Sequence, residues 1–66
     1  MEKKQIEIYC EAMHKFYLDS ANCYLKDHEN YKNSSESSLA KHCLDKAKEK
    51  TAKAQAIMKV LEFINC

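Results

Sequence analysis

The residues whose types and spacing could do chemistry are the cysteines, the histidines and the glutamates beside them. Cys10 and His14 stand four residues apart, a spacing at which one helix could present both to zinc or pair a nucleophile with a base. Glu11 and His14 have the Glu-x-x-His spacing of di-iron four-helix bundles. No CxxC motif or second matched pair accompanies them, and a helical wheel places Glu11 and His14 on a polar arc facing solvent. We therefore predict no metal, no cofactor and no catalytic residue.

The four cysteines do not have the spacing of a doubly bridged helical hairpin. The first two, Cys10 and Cys23, are much closer in sequence than Cys43 and Cys66, and the difference of 10 residues corresponds to about 15 Å along a helix. A single Cys23–Cys43 disulfide stays open as an alternative under oxidising conditions. Small apolar thiols in the helix seam of a cytoplasmic protein are the favoured interpretation.

Helices must position these residues, because the chain of 66 residues has no Gly and no Pro. All-β and Rossmann folds depend on glycine for tight turns or phosphate loops, so both are excluded, and the length fits one domain, residues 1–66. Eleven lysines against 10 acidic residues give a net charge of +1, too little to draw the whole chain onto nucleic acid. No targeting segment and no run of 18 apolar residues is present, which predicts a cytoplasmic protein without a membrane span.

Apolar residues recur with a helical period over residues 3–28 and 35–65, which are the two predicted helices. The apolar arc of the first comprises Ile6, Tyr9, Cys10, Met13, Phe16, Tyr17, Ser20, Cys23 and Tyr24. The second carries alanines at seven-residue intervals, Ala40, Ala47 and Ala54, which form a groove of small residues. The polar segment of residues 28–35 is the predicted loop, and Asn33 with Glu36 has the spacing of a capping box for the second helix.

These helices predict an all-α antiparallel hairpin. If the turn is centred near residues 31 and 32, the numbers of facing residues sum to about 63. Phe16 then faces Ala47 and Ile6 faces Ile57, so Met13, Phe16 and Tyr17 are the predicted knobs for the alanine groove.

Apolar residues outside this seam predict an interface. A lone hairpin of this size is marginally stable, so we expect dimerisation into a four-helix bundle. The predicted function is a small non-enzymatic protein-binding module, a bacterial or phage inhibitor or regulator that acts on a larger protein through an apolar helical surface. The predicted dimer or partner interface comprises Ile8, Leu18, Leu25, Ala56, Val60 and Phe63.

The alternative is nucleic-acid binding by the second helix, which carries one lysine stripe at Lys41, Lys48 and Lys59 and another at Lys46, Lys50 and Lys53. Such a dimeric hairpin is similar in size and architecture to the RNA-binding Rop family of plasmid copy-control proteins, a resemblance of shape and not of motif. The absence of arginine counts against bidentate phosphate recognition. A metal-binding four-helix bundle is the least favoured of the three classes.

Overall fold

A computed structural model of the chain describes residues 2–65 as two long antiparallel α-helices packed side by side. Helix α1 spans Lys3–Asn33 and helix α2 spans Ser37–Ile64, and no strand occurs between residues 2 and 65. The molecule is a rod whose Cα atoms extend over 49 × 14 × 14 Å. The predicted all-helical hairpin is therefore confirmed. Neither helix, within this described part of the chain, has the length and apolarity to cross a membrane.

The loop between the helices is shorter than predicted. Instead of ending near residue 28, α1 continues to Asn33, and only residues 34–36 connect it to α2. His28 and Tyr31 are both half-buried, and His28 bonds to α2. Tertiary contact thus outweighs the weak helix preference of the Asn- and Asp-rich sequence, which is why composition alone placed the boundary wrongly.

The polar residues that were expected to start α2 in fact end α1. Glu36 is the N-cap residue of α2 but makes no side-chain cap hydrogen bond, so the predicted Asn33–Glu36 capping box is wrong. The Glu36 N–H instead donates to the Tyr31 carbonyl at 2.9 Å, and the Ser35 N–H donates to the Lys32 carbonyl at 3.2 Å. This is a Schellman motif, with Ser35 at φ 61° in the left-handed position that glycine usually occupies.

The register of the two helices also differs from the prediction. Nδ1 of His14 lies 3.1 Å from the Ala54 carbonyl oxygen and Nδ1 of His28 lies 2.7 Å from that of Ala40, so facing residues sum to 68. The sum of about 63 was wrong because the turn is centred nearer residue 35. Phe16 accordingly does not fill the groove at Ala47, and its side chain is 58% exposed. Ile6 does not face Ile57 either, because the facing position on α2 is shifted by the same five residues.

Small residues form the seam. The buried residues are Ala21, Ala40, Cys43, Ala47, Ala54 and Leu61. The alanines of α2 recur every seventh residue as predicted, and the residues level with them on α1, His14, Ala21 and His28, have the same spacing. Alanine against alanine at the centre, with a histidine at each side, allows the two backbones to approach closely.

Candidate interaction surfaces

Two histidines bridge the helices. A carbonyl oxygen can only accept, so Nδ1–H of His14 donates to Ala54 and Nδ1–H of His28 donates to Ala40. The expectation that His14 faces solvent beside Glu11 is wrong, since His14 is half-buried while Glu11 is exposed. Glu11 and His14 therefore lie in different environments, although they are neighbours on the helix. Among residues 2–65, no group of three or more His, Cys, Asp or Glu side chains is placed to hold a metal ion.

The cysteines occupy three different environments. Cys43 is buried in the seam, Cys10 is half-buried, and Cys23 is exposed, and all three are free thiols. Cys23 therefore does not fit the expectation of a seam thiol, and it is not bonded to Cys43. The prediction for Cys66 concerns a residue outside the described part of the chain.

One predicted lysine stripe is held by contacts within the hairpin. Nζ of Lys46 and Nζ of Lys53 each lie 3.5 Å from a carboxylate oxygen of Glu49. The charge of Lys46, followed by hydrogen bonding from Lys53, lowers the pKa of the Glu49 carboxyl. Lys50 and Lys53 each place Nζ 5.7 Å from the centroid of the Tyr17 ring, within cation–π range. Lys50 and Lys53 thus cover one edge of the seam at Tyr17, while Lys46 contacts Glu49 on α2.

The other stripe lies elsewhere on α2. Lys41 and Lys48 are exposed beside two shallow hollows of about 340 and 220 Å³, which share Leu44 in their lining. Leu25 of α1 also lines the smaller hollow. We call this surface the lysine-rimmed groove: Leu25 and Leu44, with Lys41 and Lys48 beside them. Lys59 is exposed farther along α2, outside the linings of both hollows.

Many of the large apolar side chains lie outside the seam. Within residues 2–65 the exposed ones are Ile8, Tyr9, Phe16, Leu18, Leu25, Leu39, Met58, Val60 and Phe63. Phe63 is 82% exposed and Tyr9 is 64% exposed. All six residues predicted for an interface, Ile8, Leu18, Leu25, Ala56, Val60 and Phe63, are exposed.

The helical phase divides these residues between two sides of the hairpin. Val60 follows Lys53 by seven residues and so shares the edge on which Lys53 covers Tyr17. Leu18 and Leu25 share the opposite edge, because Leu25 lines a hollow together with Leu44. Val60 therefore lies on a different edge of the hairpin from Leu18 and Leu25, which the sequence pattern sets apart as a second surface.

A further apolar surface on α1 was assigned to the seam by sequence reasoning. Tyr9, Phe16 and Cys23 recur every seventh residue and are exposed, while Ile6, Met13 and Ser20 beside them are half-buried. We call these six residues the first-helix strip. A hollow of about 450 Å³ adjoins its Ser20 and Cys23 end, with Phe16 and Tyr24 in its lining and the carboxylates of Asp19 and Asp27 at its sides. The repeat of His14, Ala21 and His28, matching that of the α2 alanines, was the signal that could have placed the seam correctly.

Comparison with known protein families, curated proteins and solved structures found no match for this chain. The function is therefore argued from the surfaces themselves.

Proposed function

We propose that this chain is a small, non-enzymatic protein-binding module that dimerises into a four-helix bundle and also binds a larger protein. One observation carries the proposal: apart from Leu61, the buried residues of the described chain are alanines and a cysteine, while the large apolar side chains of Phe63, Tyr9 and Phe16 are exposed. Isolated exposed apolar residues are ordinary on protein surfaces. A chain that buries alanines and exposes phenylalanines retains apolar surface of the kind that a protein partner covers.

The surface area of the hairpin supports a second subunit. Its accessible surface is 5135 Å², whereas a compact monomer of 7.7 kDa exposes about 4,300 Å². Its radius of gyration is 15.1 Å, against about 11 Å for a compact chain of this length. The excess surface of roughly 800 Å² equals what one partner buries in an interface of standard size. A second hairpin packed alongside would convert the rod into a four-helix bundle.

The lysine-rimmed groove suits the larger partner. Leu25 and Leu44 supply an apolar floor, and the exposed Lys41 and Lys48 supply positive charge beside it. An amphipathic helix with acidic residues beside its apolar ridge matches both features. Nucleic acid would use the lysines but would leave the leucines without a contact, so a protein segment is the better fit.

Dimerisation is tested by sedimentation velocity between about 1 and 200 µM protein. We expect the mass to approach twice 7.7 kDa as the concentration rises. A helical monomer at every concentration would overturn the proposal.

The groove is tested by capture from host lysate with immobilised wild-type protein and a Leu25→Glu variant. We expect one dominant protein to bind the wild type and not the variant, with the dimer mass unchanged. Capture that survives Leu25→Glu contradicts this groove. Bound material absorbing at 260 nm, lost at high salt, identifies nucleic acid as the partner instead.

A further inference from the structure

The first-helix strip has the spacing of a second helix-packing seam. Its residues, at positions 6, 9, 13, 16, 20 and 23, alternate steps of three and four, as core positions do in paired helices. The strip lies beside the seam that packs on α2 and is not filled by it, since Tyr9 is 64% and Phe16 58% exposed. At its middle, the Phe16 ring meets the Tyr17 ring edge to face, with centroids 5.5 Å apart.

The strip changes in size along its length. Ile6, Tyr9 and Met13 stand at its amino-terminal end, while Ser20 and Cys23 stand at the other. If two copies of α1 pair in parallel, Ser20 meets Ser20 and leaves a gap, and Phe16 meets Phe16. If they pair antiparallel about an axis between residues 14 and 15, each large residue meets a small one at both ends. Ile6 then lies opposite Cys23 and Tyr9 opposite Ser20 of the second copy.

Extending the proposed function, on which this inference rests, we propose that the first-helix strip is the dimer interface and that its occupant is the same strip of a second copy, packed antiparallel. Such a contact is isologous: the same patch serves both subunits and closes on itself as a twofold dimer. Met13 and Phe16 of the two copies meet at its centre. The hollow of about 450 Å³ beside Ser20 and Cys23 receives Tyr9 and Ile6 of the second copy.

Charge favours α1 as the helix at the centre of the dimer. Helix α1 carries five lysines and five acidic residues and is neutral, whereas α2 carries six lysines and three acidic residues. Contact between two α1 helices therefore brings no net repulsion, while contact between two α2 helices would bring like charges together. In the proposed dimer the α2 helices lie outside, and the lysine-rimmed groove of each copy stays open.

The area is sufficient for a reversible dimer. An axis between residues 14 and 15 lies about four residues from the middle of α1, so the two rods are offset by about 12 Å. Roughly three quarters of the 49 Å length then overlaps, and with the width of one helix, about 11 Å, this gives about 400 Å² of projected face per copy. Interdigitating side chains bury more than the projected area. The contact is therefore of the size found in weak, reversible association, below the roughly 600 Å² per partner of standard interfaces.

Charge substitution tests the face. Phe16→Glu places two carboxylates, one from each copy, at the centre of the interface. We expect the dissociation constant of the dimer, measured by sedimentation velocity, to rise at least tenfold. Circular dichroism should show that the helicity is retained. Leu25→Glu is the matched control, an exposed leucine on the other edge of α1, and should leave the constant unchanged. Dissociation by Phe63→Glu but not by Phe16→Glu would overturn the strip as the interface while leaving dimerisation intact. If the wild-type protein is monomeric at every concentration, both this interface and the proposed function are contradicted.

Cross-linking tests the register. In a background with Cys10, Cys43 and Cys66 replaced by alanine, Ile6→Cys places a thiol opposite Cys23 of the second copy. Treatment with diamide should give a disulfide-linked dimer on non-reducing gels. The matched variant Ile8→Cys, whose position is turned about 160° from that of Ile6 around α1, should not. The background without a new cysteine should also stay unlinked, because the two copies of Cys23 lie about 25 Å apart. Efficient linking of that background, or equal linking by both variants, would overturn the antiparallel register.

Discussion

Replacing Ala54 with leucine tests whether the hairpin depends on close contact between its helices. Ala54 is 0% exposed, and its carbonyl oxygen accepts the His14 hydrogen bond at 3.1 Å. Three additional carbons at this point must push α1 away. Overpacking of this kind costs about 1–3 kcal/mol, and loss of the hydrogen bond adds about 1 kcal/mol. The expected loss of about 2–4 kcal/mol is a large part of the roughly 3–10 kcal/mol available to a chain of this length.

The assay is thermal unfolding followed by circular dichroism at one fixed protein concentration, since dimerisation makes the midpoint depend on concentration. At about 4–8 °C per kcal/mol, Ala54→Leu should lower Tm by roughly 10–30 °C. Ala52→Leu is the control, because Ala52 is exposed on the same helix and leucine is nearly as good a helix former as alanine. Equal midpoints for the two variants would refute the close alanine contact at Ala54.

Three further predictions follow from single contacts. His14→Ala and His28→Ala should each lower the free energy of unfolding by about 1 kcal/mol in urea titrations and should be additive, because the two sites lie about 21 Å apart along α1. The lowered pKa of Glu49 means that its ion pairs stabilise the fold above the unfolded-state pKa, and this contribution is lost as the pH falls through the folded pKa. The difference in Tm between wild type and Glu49→Gln should therefore shrink as the pH falls below the usual range of a glutamate carboxyl, and also in about 1 M salt; a difference unchanged by both would contradict the pairing. Ser35→Gly should raise stability by about 1 kcal/mol because Ser35 holds φ at 61°, whereas an unchanged Tm would mean that this turn carries no strain.

Periodicity was enough to predict two helices, their antiparallel order and the alanine groove, because these depend on repeated spacing over many residues. It did not predict the loop, because Asn, Ser and Asp favour the end of one helix as much as the start of the next. The polar run was read as a loop followed by a cap for α2. The structure shows that it forms the last turn of α1 and a Schellman motif at Ser35.

The error in the candidate site has a different physical cause. His14 was placed with the polar residues because hydropathy treats histidine as a surface residue, and no scale records a hydrogen bond to a carbonyl 40 residues away. Ala21 carried too little hydrophobicity to mark a face by itself. With both missing, the predicted seam was turned toward Tyr9 and Phe16, the residues that the hairpin leaves exposed.

The observed orientation of α1 leaves part of its apolar surface outside the hairpin. One seam, built from His14, Ala21 and His28, is specific for the alanines of α2. The other, the first-helix strip, lies beside that seam, with Tyr9 and Phe16 exposed. A helix that buries Ala21 within the hairpin and leaves Tyr9 and Phe16 exposed has apolar surface available for a second chain. The hairpin fold positions the strip, and association with a second copy would complete the core that folding of one chain leaves unfinished.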